Sequence, residues 1–136
     1  MHVSSTDTAP ALSRGDGVVS RLLNPDSDGS ETDLTVTWVT VDPGATQTRH
    51  SHEPEQVYVL VAGRGEMTVG DETRTVEAGD LVHIPSNADH AIENTGDQPL
   101  EYVSAATPAI PRGDVEAFYR RNRPSASGSY GNRRFP

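Results

Sequence analysis

Hydrophobic and polar residues alternate along the middle of this chain with the period of a β-strand. Residues 34–41 read Leu-Thr-Val-Thr-Trp-Val-Thr-Val, β-branched and aromatic at nearly every position. The same rule predicts strands at 18–23, 56–62, 66–69, 73–76, 81–84, 90–93 and 100–105. Turn chemistry separates them: Asp42-Pro43-Gly44, Gly63-Arg64-Gly65, Gly70-Asp71-Glu72, Ala78-Gly79-Asp80 and Pro85-Ser86-Asn87-Ala88. Gly70-Asp71-Glu72 lies between two short strands and signals a hairpin. One segment departs from this period. Residues 114–121 place Val115, Phe118 and Tyr119 at helical spacing behind Asp114, a fitting N-cap. Seven or eight short strands with turns every few residues predict an all-β, antiparallel sandwich or barrel followed by a short C-terminal helix.

The ends read differently. Residues 1–17 are rich in Ser, Thr, Ala and Asp and are expected to form a flexible N-terminal arm. Residues 18–110 form the barrel, 111–122 the helix, and 123–136 a flexible, arginine-rich tail. Asn24 to Ser30 is loop chemistry. Only 26 of the 136 residues are Val, Ile, Leu or Phe, and they concentrate between Leu34 and Ala105, so one modest core is expected.

Charge and composition then exclude several chemistries. The chain has no cysteine and no lysine, which removes disulfides, thiolate zinc sites, cysteine nucleophiles and Schiff-base lysines. Its formal charge of −9 argues against nucleic acid as a partner. That charge is unevenly spread. Residues 1–116 carry 6 Arg against 20 acids, hence −14, while 117–136 carry 5 Arg and no acid, hence +5. Acidity without lysine suits a halophilic, high-salt cytoplasm. No signal-peptide pattern opens the chain and no apolar run reaches membrane-spanning length, so a cytoplasmic protein with no membrane partner is expected.

Four of the five histidines lie between positions 50 and 90. His50 and His52 are two apart, so on an extended strand both side chains point to one face. Gln56 shares their parity, although Pro54 must interrupt the ladder. His90 opens a later strand. Three imidazoles and an amide oxygen converging in a barrel mouth would suit one divalent transition metal ion, Mn, Fe, Ni, Cu or Zn.

These residues lie in two motifs. Gly44-x5-His50-x-His52-x3-Gln56-x6-Gly63 resembles the first cupin motif, with Gln56 where Glu is usual. Gly79-x5-Pro85-x-Asn87-x2-His90-x3-Asn94 resembles the second, with Asn87 where Gly is usual. Asn tolerates left-handed backbone angles, so that turn can survive. The resemblance, over residues 34–105, implies a jelly-roll barrel with a metal near its axis. It implies His50, His52, Gln56 and His90 as the ligands. Replacing a carboxylate by the neutral Gln56 weakens metal affinity, leaves a more Lewis-acidic ion and removes a proton shuttle.

The resemblance implies a metal-dependent enzyme on a small oxygenated substrate, either a dioxygenase or a Lewis-acid isomerase or decarboxylase. The alternative is a non-enzymatic module that binds or senses a small ligand such as a sugar. Tyr58 and Glu53 are the candidates for acid/base work, and neither is unambiguous. Trp38, Met67, Ile92 and Tyr102 are either pocket walls or ordinary core. Arg49 and Arg64 either hold an anion or are simply exposed. His83 is expected on the outer face. Small cupins also resemble dimers that pack or exchange edge strands, and residues 18–23 are the candidate for exchange.

Overall fold

The alternation expected from the sequence folds into two facing antiparallel sheets. A computed structural model describes residues 1–25 and 32–121; the arginine-rich tail and most of the loop after Asn24 lie outside the described residues. Among the described residues there are ten strands: β1 (Ala11–Ser13), β2 (Val18–Leu22), β3 (Thr35–Val41), β4 (Thr46–His50), β5 (Glu55–Ala62), β6 (Arg64–Val69), β7 (Glu72–Glu77), β8 (Leu81–Ile84), β9 (His90–Glu93) and β10 (Leu100–Thr107). One helix follows, α1 (Arg112–Arg121). The larger sheet has the order β1-β2-β3-β10-β5-β8 and the smaller β4-β9-β6-β7. This is the jelly-roll barrel with a C-terminal helix that the sequence predicts.

The two sheets meet through residues that alternate along their strands. On β10, Leu100, Tyr102, Ser104 and Ala106 point inward; on β5, Gln56, Tyr58 and Leu60 do. Val39 and Val41 of β3, Met67 of β6, Ile84 of β8 and Ile92 of β9 complete the core between the sheets. Each large apolar side chain so buried contributes about 1.5–3 kcal/mol. Trp38 is on the opposite parity from Val39. It lies half-buried on the outer face, where its indole N–H donates to Glu101 at 3.4 Å, so it does not line the space between the sheets.

Two strands were not expected. β1 forms inside the stretch read as a flexible arm, pairing with β2 in antiparallel register from Ala11↔Arg21 to Ser13↔Val19. What fixes it is Arg14, fully buried just past its end. The guanidinium pairs with Asp16 at 2.7 Å and donates to Thr48 Oγ1, to the Thr46 carbonyl and to Gln47 Oε1. The second is β4, whose Thr-Gln-Thr-Arg-His sequence is too polar to signal a strand. Its burial does not alternate, because Gln47 and Thr48 are both buried. The register shift between Gln47 and His50 against β9 marks a β-bulge there, which re-aims the strand end. Of residues 18–23, the candidate for strand exchange, 18–22 pair with β1 and β3 of the same chain.

Turn positions explain the glycines of the motifs. At Gly63 the backbone has φ +78° and a Cβ would stand 2.6 Å from the Pro99 carbonyl oxygen, so only glycine fits. Asn87 adopts φ 64°, the left-handed conformation expected where glycine is usual. Asn94 is buried; its amide donates to the carbonyls of Val41 and Gln98 and its Oδ1 accepts from Gly96 N–H, fixing the turn before β10.

Candidate metal centre

The bulge in β4 brings His50 directly opposite His90 on β9. Their rings lie 4.2 Å apart, centroid to centroid. His52 falls just beyond the end of β4, so strand parity places His50 but not His52. The loop does that instead. The Asn87 N–H donates to the His52 carbonyl at 2.8 Å, and Ser86 Oγ donates to the Glu53 carbonyl, so the second motif's turn holds the first motif's loop. The His52 ring ends 5.7 Å from His50 and 5.1 Å from His90. All three histidines are buried, and one ring nitrogen from each lies within 4.8 Å of the others.

Hydrogen bonding sets which nitrogen is available. Nδ1 of His50 lies 2.6 Å from the Thr48 carbonyl, Nδ1 of His52 lies 2.7 Å from the Pro54 carbonyl, and Nδ1 of His90 lies 3.0 Å from the Ala88 carbonyl. A carbonyl only accepts, so each Nδ1 carries the proton and each neutral ring keeps a lone pair on Nε2. This outer support is what metal-bound histidines require. His90 Nε2 is buried with no hydrogen-bond partner, a costly state for a polar atom unless something binds it. His52 Nε2 lies 2.9 Å from Gln56 Oε1, within hydrogen-bonding distance, so the amide sits beside the imidazole cluster. The donor set therefore fits a metal ion. The Gln56 amide is itself oriented, because its Nε2 donates to Ser104 Oγ on β10.

Burial reinforces this state. Desolvation, then the neighbouring His90, holds the His50 imidazole well below its ordinary range. Desolvation also lowers His90, to about 4. Both rings are neutral at pH 7, so a metal displaces no proton from them. A stability prediction follows. Between the unfolded value of 6.5 and the folded value of about 4, the unfolded chain binds a proton at position 90 that the folded chain does not. Metal-free protein is therefore expected to lose about 3 kcal/mol from His90 alone as pH falls from 7 to 4. Urea unfolding across that range reads it. A flat stability profile would remove the basis for neutral, desolvated histidines.

Beside His50 and His52 is a cavity of about 60 Å³. Its walls are aromatic and aliphatic, with hydroxyls from Ser20, Thr35, Thr37 and Ser104. Tyr58 and Tyr102 stack at 4.2 Å on one side. Burial pushes both phenols upward, so they remain protonated and donate rather than accept protons. Tyr58 thus serves as a hydrogen-bond donor and not as a base at neutral pH. Glu53, the other acid/base candidate, is exposed and does not line the cavity. Arg49 donates to the Gly70 carbonyl and pairs with Asp89 at 3.6 Å, and Arg64 is exposed. Met67 and Ile92 are core. His83 is on the outer face, as expected, 3.1 Å from Glu55.

Sequence reading missed three parts of the site. Ser104 was available from its i+2 relation to Tyr102 on an inward-facing strand. Phe118 and Tyr119 were visible as an apolar helix face, but not its destination. Phe118 sits over His50 at 5.1 Å between ring centroids, and Tyr119 Oη hydrogen-bonds Ser20 Oγ.

Comparison with known proteins agrees with this architecture. A family model described as "Cupin domain" matches residues 37–106. The uncharacterized protein MJ1618 of Methanocaldococcus jannaschii is 31% identical over 109 residues, covering 79% of this chain and 86% of its own. The crystal structure of a predicted oxalate decarboxylase from Thermotoga maritima superposes with a TM-score of 0.69 at 21% identity, over 79% of this chain and 100% of that one. The polyketide cyclase RemF from Streptomyces resistomycificus does so with 0.68 at 20% identity, over 82% of each. At such identities the structural likeness concerns the fold.

Proposed function

Because the chain belongs to the cupin domain family, we propose that its barrel holds one divalent transition metal ion and acts on a small oxygenated substrate. His50, His52, His90 and Gln56 are the proposed ligands. The observation that supports this is the common orientation of the three imidazoles, each with Nδ1 tied to a main-chain carbonyl and one ring nitrogen of each within 4.8 Å of the others. Three neutral imidazoles and a neutral amide leave the ion's full positive charge in place. When bound, such an ion supplies Lewis acidity toward a carbonyl or enol oxygen. That favours isomerisation, decarboxylation or ring closure over dioxygen chemistry, for which a redox-active metal would be needed.

The chain's own residues supply the rest. Ser104 holds the Gln56 amide so that its oxygen faces the histidines. Tyr58, edge-on to His90 at 6.0 Å between centroids, offers a protonated phenol at the cavity wall. Among structural neighbours, the predicted oxalate decarboxylase and the polyketide cyclase fit this range of oxygenated substrates.

Elemental analysis of protein purified without an affinity metal tests the reading. About one Mn, Fe, Ni, Cu or Zn per chain is expected, with electron paramagnetic resonance assigning a redox-active ion. Protein that contains none of these, and takes up none in titration, would refute it. Metal-loaded protein that binds its ligand without turnover would reassign it as a small-ligand binding module.

The second copy of this chain is the proposed partner. The outer face of the larger sheet carries an apolar row between polar neighbours: Trp38, Val103, Val59 and Leu81 lie in register across β3, β10, β5 and β8. Leu81 is 62% exposed and Val61 41%. An exposed apolar row of this kind calls for cover. Leu81→Glu is expected to halve the mass seen by light scattering; a wild-type monomer would overturn the homodimer. Among the described residues no helix is long and apolar enough to cross a membrane.

A further inference from the structure

The cavity beside the histidines has about 60 Å³, room for one or two waters, whereas sites for small organic ligands usually span roughly 300–1,000 Å³. Side chains of α1 fill the difference. Phe118 is 2% exposed and lies over the His50 ring; Val115 and Tyr119 close the rest of the mouth. A small apolar cluster joins Val115, Phe118 and Tyr119 to Leu22, Leu12 and Ile110. Tyr119 hydrogen-bonds Ser20 of β2 and Gln47 of β4. This cluster is separate from the main core between the sheets.

The chemistry of the covered space is specific. Among the described lining residues, the only titratable groups are the histidines and tyrosines; none is an arginine or a carboxylate. Arg14 lies 6.0 Å from the Tyr119 ring and pairs with Asp16 at 2.7 Å. The remaining walls are aromatic rings, aliphatic side chains and hydroxyls.

We infer that α1 is a lid, and that the substrate is a neutral, planar, ring-containing phenol or enol that takes the place of Phe118 when the lid is displaced. The inference rests on the reading of the histidines as the reactive centre. An aromatic ring already occupies the slot against His50, so a ring of similar thickness exchanges for it with little loss of packing. The hydroxyls of Ser20, Thr35 and Thr37 can then bond the substituents of the ring. Among the described lining residues no cationic side chain faces a dicarboxylate, so charge beyond what the ion itself binds would be desolvated at heavy cost. Opening the lid also releases Ser20, so the Tyr119 hydrogen bond opposes binding in the closed state.

Hydrogen exchange on the full-length wild-type chain tests this with 2-naphthol as the probe. Added to metal-free and to zinc-loaded protein, 2-naphthol is expected to speed amide exchange across residues 112–121 while leaving β5 and β10 unchanged. Phe118→Ala and Tyr119→Phe should each tighten 2-naphthol about tenfold in a fluorescence titration, because less of the binding energy is spent on opening. Oxalate should gain nothing. Unchanged exchange in α1, unaltered naphthol affinity in Tyr119→Phe, or an equal gain for oxalate would each overturn the proposal. Since the naphthol readouts do not need the ion, their success in protein that takes up no metal would leave the lid standing and remove only the metal reading.

Discussion

Replacing His90 by alanine is expected to cut metal affinity by at least about a hundredfold, because losing an outer hydrogen-bond partner of a ligand already costs roughly 10–100-fold. His90 is fully buried, and its Nε2 has no partner within the protein. It also lies opposite His50, so its removal opens one side of the proposed coordination shell. Metal content by elemental analysis should fall from about one ion per chain toward zero. The strand signal in circular dichroism should persist, because the backbone pairing of β9 with β4 and β6 does not use the ring. His83→Ala is the control: that ring is exposed on the outer face and should leave the metal content untouched. Unchanged metal in His90→Ala would show that the ion, if any, sits elsewhere.

The second large effect concerns Arg14. Arg14→Ala is expected to cost about 3–5 kcal/mol, the range for breaking a buried ion pair from one side. The substitution strands the Asp16 carboxylate, which is only 10% exposed. It also removes the guanidinium that ties residues 14–16 to Thr46, Gln47 and Thr48 of β4. For a domain of this size such a loss lowers the thermal midpoint by roughly 10–20 °C. Urea and thermal unfolding of metal-free protein measure it. Arg14→Met with Asp16→Asn should recover part of the loss, since it removes both charges together. A loss below about 1 kcal/mol would mean that the N-terminal segment is dispensable to β4.

Most of the barrel was readable from side-chain alternation, and the reason is physical. Strands with one inward face must alternate, and β3, β5, β9 and β10 do. β4 was unreadable because a bulge breaks its alternation and its inward residues are Gln47, Thr48 and His50. β1 was unreadable because it is short and its anchor is a buried charge, a type of residue that sequence patterns assign to the surface. His50, His52, Gln56 and His90 were all identified from two motifs, and the structure brings their side chains together. The reason given for His52 was incomplete. Strand parity accounts for His50, whereas the hydrogen bond from Asn87 N–H accounts for His52. Glu53 could not be excluded in advance, because exposure in a loop leaves no mark on residue type. The destination of α1 was hidden for a similar reason: an amphipathic helix shows that one face is buried and not what buries it.

The three imidazoles share a property that bears on how the site can vary. The acceptors of their Nδ1 protons are the main-chain oxygens of Thr48, Pro54 and Ala88. No single substitution can delete a main-chain oxygen. The tautomer of each ring is therefore insulated from mutation: exchanging the Thr48 or Ala88 side chain alters packing and leaves the acceptor. Gln56 has no such protection, because its orientation depends on the Ser104 hydroxyl. Variation that retunes this site without dismantling it should accordingly collect at positions 56 and 104, while the histidine rings keep their orientation.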